Sequence, residues 1–166
     1  MVCGRTTEGS GNVWIKSFCM SIIKNQEEII EEFSVLEEWM DKYNYLIELG
    51  KSIPPIDPAL RKEENLIRGC QSRVWLDGFM EEGHVRFKAD SDAIITKGIA
   101  AMLIRVLDNH SPDEILQTEL FFIDSIGLQE HLSPTRSNGL VSMLKQMKLY
   151  ALAFKTKAES NDADRN

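Results

Sequence analysis

Cysteine is nearly missing from this chain. Only Cys3, Cys19 and Cys70 occur in 166 residues, and two of them fall in an atypical N-terminal stretch. A single cysteine in the remaining body excludes a disulfide framework and points to a reducing compartment, so a cytoplasmic location is expected. Histidine is equally scarce. His84, His110 and His131 are scattered, and none has a second histidine or a cysteine at helical spacing, so no metal site is expected. Cations are outnumbered, with 19 Lys and Arg against 26 Asp and Glu and a net charge of -7. Broad nucleic-acid binding needs the opposite balance. The apolar run at 13–23 is broken by Lys16 and two serines, which makes it far too short to cross a membrane. It also lacks the basic start and small-x-small cleavage site of a signal peptide. Neither a membrane nor a nucleic acid is an expected partner.

What is present suits one domain with one core. The organisation expected is a loosely ordered extension over residues 1–24, a single domain over 25–157 and a polar, disordered tail over 158–166. Asn25-Gln26-Glu27-Glu28 reads as a capping box that opens a first helix, and Ser34-Val35-Leu36-Glu37 as a second box. The helix after it places Leu36, Met40, Tyr43 and Ile47 on one face, with Trp39 and Leu46 as further candidates for it, and Gly50 stands where a glycine ends a helix. Pro54, Pro55 and Pro58 then make a stiff connector. From Val74 the period changes to two. Val74 and Leu76, then Val85, Phe87 and Ala89, alternate with polar residues as in an antiparallel hairpin with one covered face.

Asp90-Ser91-Asp92 offers caps for a strongly apolar helix running to Asn109, and Gly98 inside it implies close backbone packing, expected against the sheet. Ser111-Pro112-Asp113-Glu114 is a capping box with proline at the first helical position. Leu120-Phe121-Phe122-Ile123 fits either an edge strand or a buried helical turn. Ser133-Pro134 opens a last helix. The order of helices, hairpin and helices makes the class α+β, with a small antiparallel sheet of about three strands and helices mainly on one face.

The segment that carries chemistry is Arg68-Gly69-Cys70-Gln71-Ser72-Arg73-Val74-Trp75. Cys70 falls on a loop before a strand, after a glycine that tolerates unusual backbone angles. Arg68 and Arg73 flank it, and nearby cations favour the thiolate. No second cysteine lies close in sequence, and no His–Asp pair is adjacent, although folding can bring in His84 or His131. On the residues alone, a buried small hydrophobe and a reactive nucleophile both remain open readings of Cys70.

This run resembles the active-cysteine loop of the SufE family of sulfur acceptors. So do three further segments: Tyr43 to Gly50, Asp90 to Gly98, and Glu130 to Leu140, together spanning about residues 26–156. The resemblance implies a SufE/IscU-like fold. It implies that Cys70 takes sulfur from the persulfide of a SufS-type cysteine desulfurase, stimulates that enzyme, and carries the sulfur as its own persulfide toward a downstream iron–sulfur scaffold. The pyridoxal phosphate belongs to the desulfurase, so no cofactor is expected on this chain, which is a carrier and not an enzyme. Gly69, Gln71 and Ser72 are expected to support the loop. Arg136, Arg68 and Arg73 are expected to face the partner, and a homodimer is one expected assembly. Asp90 and Asp92 are expected to cap the central helix, with tuning of the neighbouring loop as the alternative. A sibling role with a CsdA-type desulfurase or another sulfur pathway is the alternative within the family. A metal or iron–sulfur scaffold and a free-standing thiol enzyme are alternatives outside it.

Overall fold

A computed structural model describes the backbone of residues 12–163 and the side chains from residue 22 onward. Residues 1–11, which include Cys3, lie outside the described residues, as does the Cys19 side chain. The element order is α1 (Asn12–Ser34), α2 (Trp39–Ser52), two 3-10 turns (Pro58–Leu60 and Glu63–Asn65), β1 (Val74–Glu81), β2 (His84–Ser91), α3 (Ile94–Leu107), α4 (Pro112–Gln117), α5 (Phe122–Ser125), α6 (Leu128–His131) and α7 (Pro134–Ala163).

The first helix does not begin at Asn25. It runs through that position from Asn12, across the expected boundary at residue 24. Ile22, Gln26, Ile29 and Phe33 recur at helical spacing and are all buried, so the stripe continues upstream of the supposed cap. The two capping-type side chains are used elsewhere. Asn25 donates to the Arg105 carbonyl at 3.2 Å, and Gln26 donates to the Glu119 carbonyl at 3.2 Å while accepting from the Phe122 N–H at 3.3 Å. Arg105 of α3 grips Glu32 of α1 in a two-pronged ion pair at 2.6 and 2.8 Å. Ser34 likewise closes α1 instead of opening α2, its hydroxyl donating back to the Glu31 carbonyl at 2.6 Å.

In α2 the buried face centres on Leu46 and Gly50, while Met40 is 69% exposed. Gly50 lies inside the helix, which ends at Ser52. The reason is the crossing with α3. A Cβ on Gly98 would stand 2.1 Å from the Leu46 carbonyl oxygen, and one on Gly50 would stand 2.9 Å from the Gly98 nitrogen. The close approach expected at Gly98 is therefore real, but its partner is α2 and not the sheet.

Among the described residues the sheet has two strands, where about three were expected. β1 and β2 pair antiparallel from Val74↔Ser91 to Glu81↔His84. Their tight turn places Glu82 at φ 50° and Gly83 at φ 80°, the positive pair a twist-matched two-residue hairpin needs. On each side of the hairpin a single bridge stands where a third strand would run: Leu66↔Trp75 and Val85↔His110. The segment at 120–123 is not an edge strand. It enters α5, where Phe122 and Ile123 are buried. Val74, Leu76, Val85, Phe87 and Ala89 turn inward against α3 and α7, while Asp77 and Lys88 lie on the opposite face. The capping box at Ser111 forms as expected, with both reciprocal bonds present. Helix α7 extends to Ala163, over most of the segment expected as a disordered tail.

The α2–α3 contact leaves no room for even a methyl group. Gly98→Ala is expected to cost about 3 kcal/mol or more, since an overpacked site relieved only by moving two helix backbones lies at the severe end of such changes. Thermal or urea denaturation of the variant checks this, and wild-type stability would contradict the contact.

Candidate functional site

The chain from 67 to 74 is a closed loop. At its base the Ile67 N–H donates to the Val74 carbonyl at 2.8 Å, just beside the Leu66↔Trp75 bridge. Its far limb is held by the turn after β2. The Arg73 N–H donates to the Asp92 carboxylate at 3.0 Å, and the Arg73 carbonyl accepts from the Ser91 hydroxyl at 2.8 Å and from the Asp92 N–H at 3.2 Å. Between these ties, Gly69 adopts φ 89°, which places the following residue back over α7.

Cys70 is that residue, half-buried and unpaired with another cysteine. Its sulfur sits above Gly139 of α7, so closely that a Cβ there would lie 3.2 Å from Sγ. Together they border a cleft of about 270 Å³. Gln71 and Ser72 line it from the loop, Thr96 from α3, and Ser133, Thr135 and Arg136 from the start of α7. Burial pushes the Cys70 thiol up, with no offsetting contribution from a cation. The thiolate-favouring role expected for Arg68 and Arg73 is thus not realised. Both side chains are exposed, and Arg68 lines a separate groove on the other side of the loop. Arg136 is the expected cation that reaches the Cys70 cleft, and it has no carboxylate partner among the described residues.

Gln71 and Ser72 border the cleft, but their side chains make no hydrogen bond among the described residues. The loop is supported instead by Ser91 and Asp92, neither of which caps α3 through a side chain. Of the two readings of Asp92, the capping role is not realised and the loop role is: its carboxylate holds the cysteine loop. Asp90 is 2% exposed and pairs with Arg61 and, at 3.2 Å, with Lys97. Burial alone would raise its carboxyl, but Lys97, the Ser91 N–H and Arg61 outweigh this and hold it below the usual range. Arg61 also lies over the ring of Trp75, 5.5 Å from its centroid, tying the proline-rich connector to the root of the cysteine loop.

No histidine borders the cleft. His131 stacks on Trp39 with ring centroids 3.6 Å apart, and His84 stands at the hairpin turn, at the other end of the strands from Cys70. His110 is buried, with Glu114 3.8 Å from its Nδ1. Gly139 and Thr96 were not visible as site residues in the sequence. A glycine inside an otherwise regular helix was the available signal for the first; for the second there was none.

Two outcomes follow from this geometry, both measurable in a Cys3→Ser, Cys19→Ser background. Because burial raises the thiol, the pH midpoint of Cys70 alkylation should lie above the ordinary free-cysteine value near ~8.5 and return to it in urea. With the folded pKa raised, the associated stability is complete below the unfolded pKa and is lost as pH climbs through the folded one. Asp92→Ala removes a charge-assisted tie of roughly 1.5 kcal/mol, so Cys70 alkylation at fixed pH should speed up several-fold. An unchanged rate would show that Asp92 does not hold the loop closed.

The chain is similar in sequence and in fold to known proteins. Residues 27–151 match the family model described as "SufE: Fe-S metabolism associated domain". The chain is 40% identical over 138 residues to "SufE-like protein 1, chloroplastic/mitochondrial" of Arabidopsis thaliana, covering 82% of this chain but 37% of that longer protein. It is 39% identical over 127 residues to "Uncharacterized SufE-like protein R01000" of Rhizobium meliloti, covering 74% of this chain and 91% of the relative. Its fold matches the solution structure of a hypothetical protein from Thermus thermophilus at TM-score 0.67 and 25% identity, covering 80% of this chain and 96% of the other. The chain belongs to the SufE family, a family associated with iron–sulfur metabolism.

Proposed function

We propose that this chain is a sulfur carrier. It accepts one sulfur from the persulfide of a SufS-type cysteine desulfurase onto Cys70, stimulates that desulfurase, and delivers the sulfur for iron–sulfur cluster assembly in the cytoplasm. The observation that carries the reading is the seat of Cys70: the one thiol among the described side chains, on a loop tied at its two limbs, half-sheltered against Gly139 beside a polar cleft.

The step needs no cofactor on this chain. The Cys70 thiolate attacks the outer sulfur of the donor persulfide, the donor's sulfur–sulfur bond breaks, and the donor cysteine leaves as its thiolate. One sulfur moves and no external oxidant or reductant is consumed. The raised thiol explains why a partner is required. A sheltered, protonated sulfur is a poor nucleophile and resists oxidation, whereas swinging the loop into water or toward a positive site lowers its pKa. The limb holding Arg73 is fastened by three hydrogen bonds, so it acts as the anchor while residues 68–72 move. Arg136, exposed at the rim of the cleft, is suited to engage a carboxylate of the incoming partner. The same wall argues for a carrier over a metal scaffold. Among the described residues it offers one thiol with hydroxyls, an amide and a guanidinium, whereas a scaffold gathers several thiolates or imidazoles.

The test is stimulation of a SufS-type desulfurase turning over free cysteine in the presence of a thiol reductant. Wild-type chain should raise sulfide release several-fold, and Cys70→Ser should abolish that stimulation. Arg136→Glu should weaken half-maximal stimulation by roughly tenfold or more, since it replaces an attraction with a repulsion. Full stimulation by Cys70→Ser would rule out transfer through Cys70.

A further inference from the structure

Thr96 is 5% exposed, yet its hydroxyl makes no hydrogen bond with any described residue. A threonine inside a helix ordinarily satisfies its hydroxyl on the carbonyl three or four residues back. The Thr96 hydroxyl does not, and it is not among the buried side-chain atoms left without a partner, so it stays open to the cleft. Here the residue lies in the first turn of α3 and faces the Cys70 cleft. Two other hydroxyls on that wall are differently placed. Ser133 and Thr135 are exposed and bond to each other at 3.2 Å.

The bare thiol does not use Thr96. Cys70 is perturbed by burial alone, with no side-chain hydrogen bond to its sulfur. A persulfide places a second sulfur about 2.05 Å beyond the first. That terminal sulfur is more acidic than a thiol and travels as an anion, and an anion in a half-buried seat needs donors aimed at it. We propose that the Thr96 hydroxyl donates a hydrogen bond to the terminal sulfur of the Cys70 persulfide and holds it as the anion within the cleft. Thr96 is then a group that touches the cargo and recognises loaded from unloaded protein. Sulfane sulfur is the ligand class, and the inference rests on the sulfur-carrier reading above.

The experiment loads the full chain, in a Cys3→Ser, Cys19→Ser background, with inorganic polysulfide. The Cys70 thiolate attacks the terminal sulfur of the polysulfide, the adjacent sulfur–sulfur bond breaks, and the shortened polysulfide leaves with the bonding pair. Alkylation of the loaded and unloaded forms is then followed by mass across a pH series for wild type, Thr96→Val and Thr96→Ser. Thr96→Val should shift the persulfide's alkylation midpoint up by about one pH unit, slowing the reaction roughly tenfold at pH below both midpoints. Thr96→Ser should restore the wild-type midpoint, and the unloaded thiol should titrate alike in all three. The proposal is overturned if the loaded midpoint is the same in Thr96→Val and wild type. It is also overturned if loaded and unloaded midpoints move together, which is a packing effect, or if polysulfide fails to load Cys70. Since this loading uses no desulfurase, a desulfurase that cannot load Cys70 would sink the carrier reading and leave the Thr96 result standing. An unshifted titration would do the reverse.

Discussion

At Gly98 the backbone of α3 comes against the Leu46 carbonyl of α2 with space for a hydrogen and nothing larger. This contact fixes where α3 lies, and the residues just before it are the ones the site uses. Lys97 reaches the buried carboxylate of Asp90, and Thr96 faces the cleft beside Cys70. Asp90 in turn binds Arg61, which covers Trp75 at the root of the cysteine loop. Helix packing is thus coupled to the seat of one sulfur through consecutive residues of a single turn. Relaxing the crossing would move the wall of the cleft together with the core.

The same device recurs under the sulfur. Gly139 in α7 lets Cys70 settle within van der Waals range of a helix surface, and Gly69 supplies the backbone angle that aims it there. The result is a nucleophile kept weak by its surroundings. Burial favours the neutral thiol, and no cation opposes it in the closed state. In the carrier role proposed above, such a seat would withhold reactivity until a partner moved the loop. The ties at Ile67 and Arg73 stand at the two ends of the segment, so its middle can move while the hairpin stays intact.

Much of this was legible before folding. The hairpin was readable because Val74 to Ala89 alternates cleanly, and the box at Ser111 because all its signals are local. Cys70 and Arg136 were located by family-like segments, and the structure brings them to one cleft. What misled was the reuse of local signals by distant contacts. Asn25 and Gln26 look like caps but bond to Arg105, Glu119 and Phe122. Gly50 looks like a helix stop but is the partner surface for Gly98. Asp92 looks first like a cap for α3, but its alternative reading holds: it ties the cysteine loop from across the hairpin end. In each case the residue type was read correctly as special, and the long-range partner that gave it its task was invisible in one dimension. Arg68 and Arg73 show the converse: nearness in sequence to Cys70 did not place their charge on its sulfur.

The central claim is that one sulfur comes to rest on one atom of this chain. The most direct measurement is peptide mass mapping after the full chain has been incubated with a SufS-type cysteine desulfurase and free cysteine, then alkylated without reduction. The account predicts a single added sulfur on the peptide holding Cys70 and none on those holding Cys3 or Cys19. A desulfurase that turns over while Cys70 stays unmodified, or sulfur that collects on Cys3 or Cys19 instead, would contradict it.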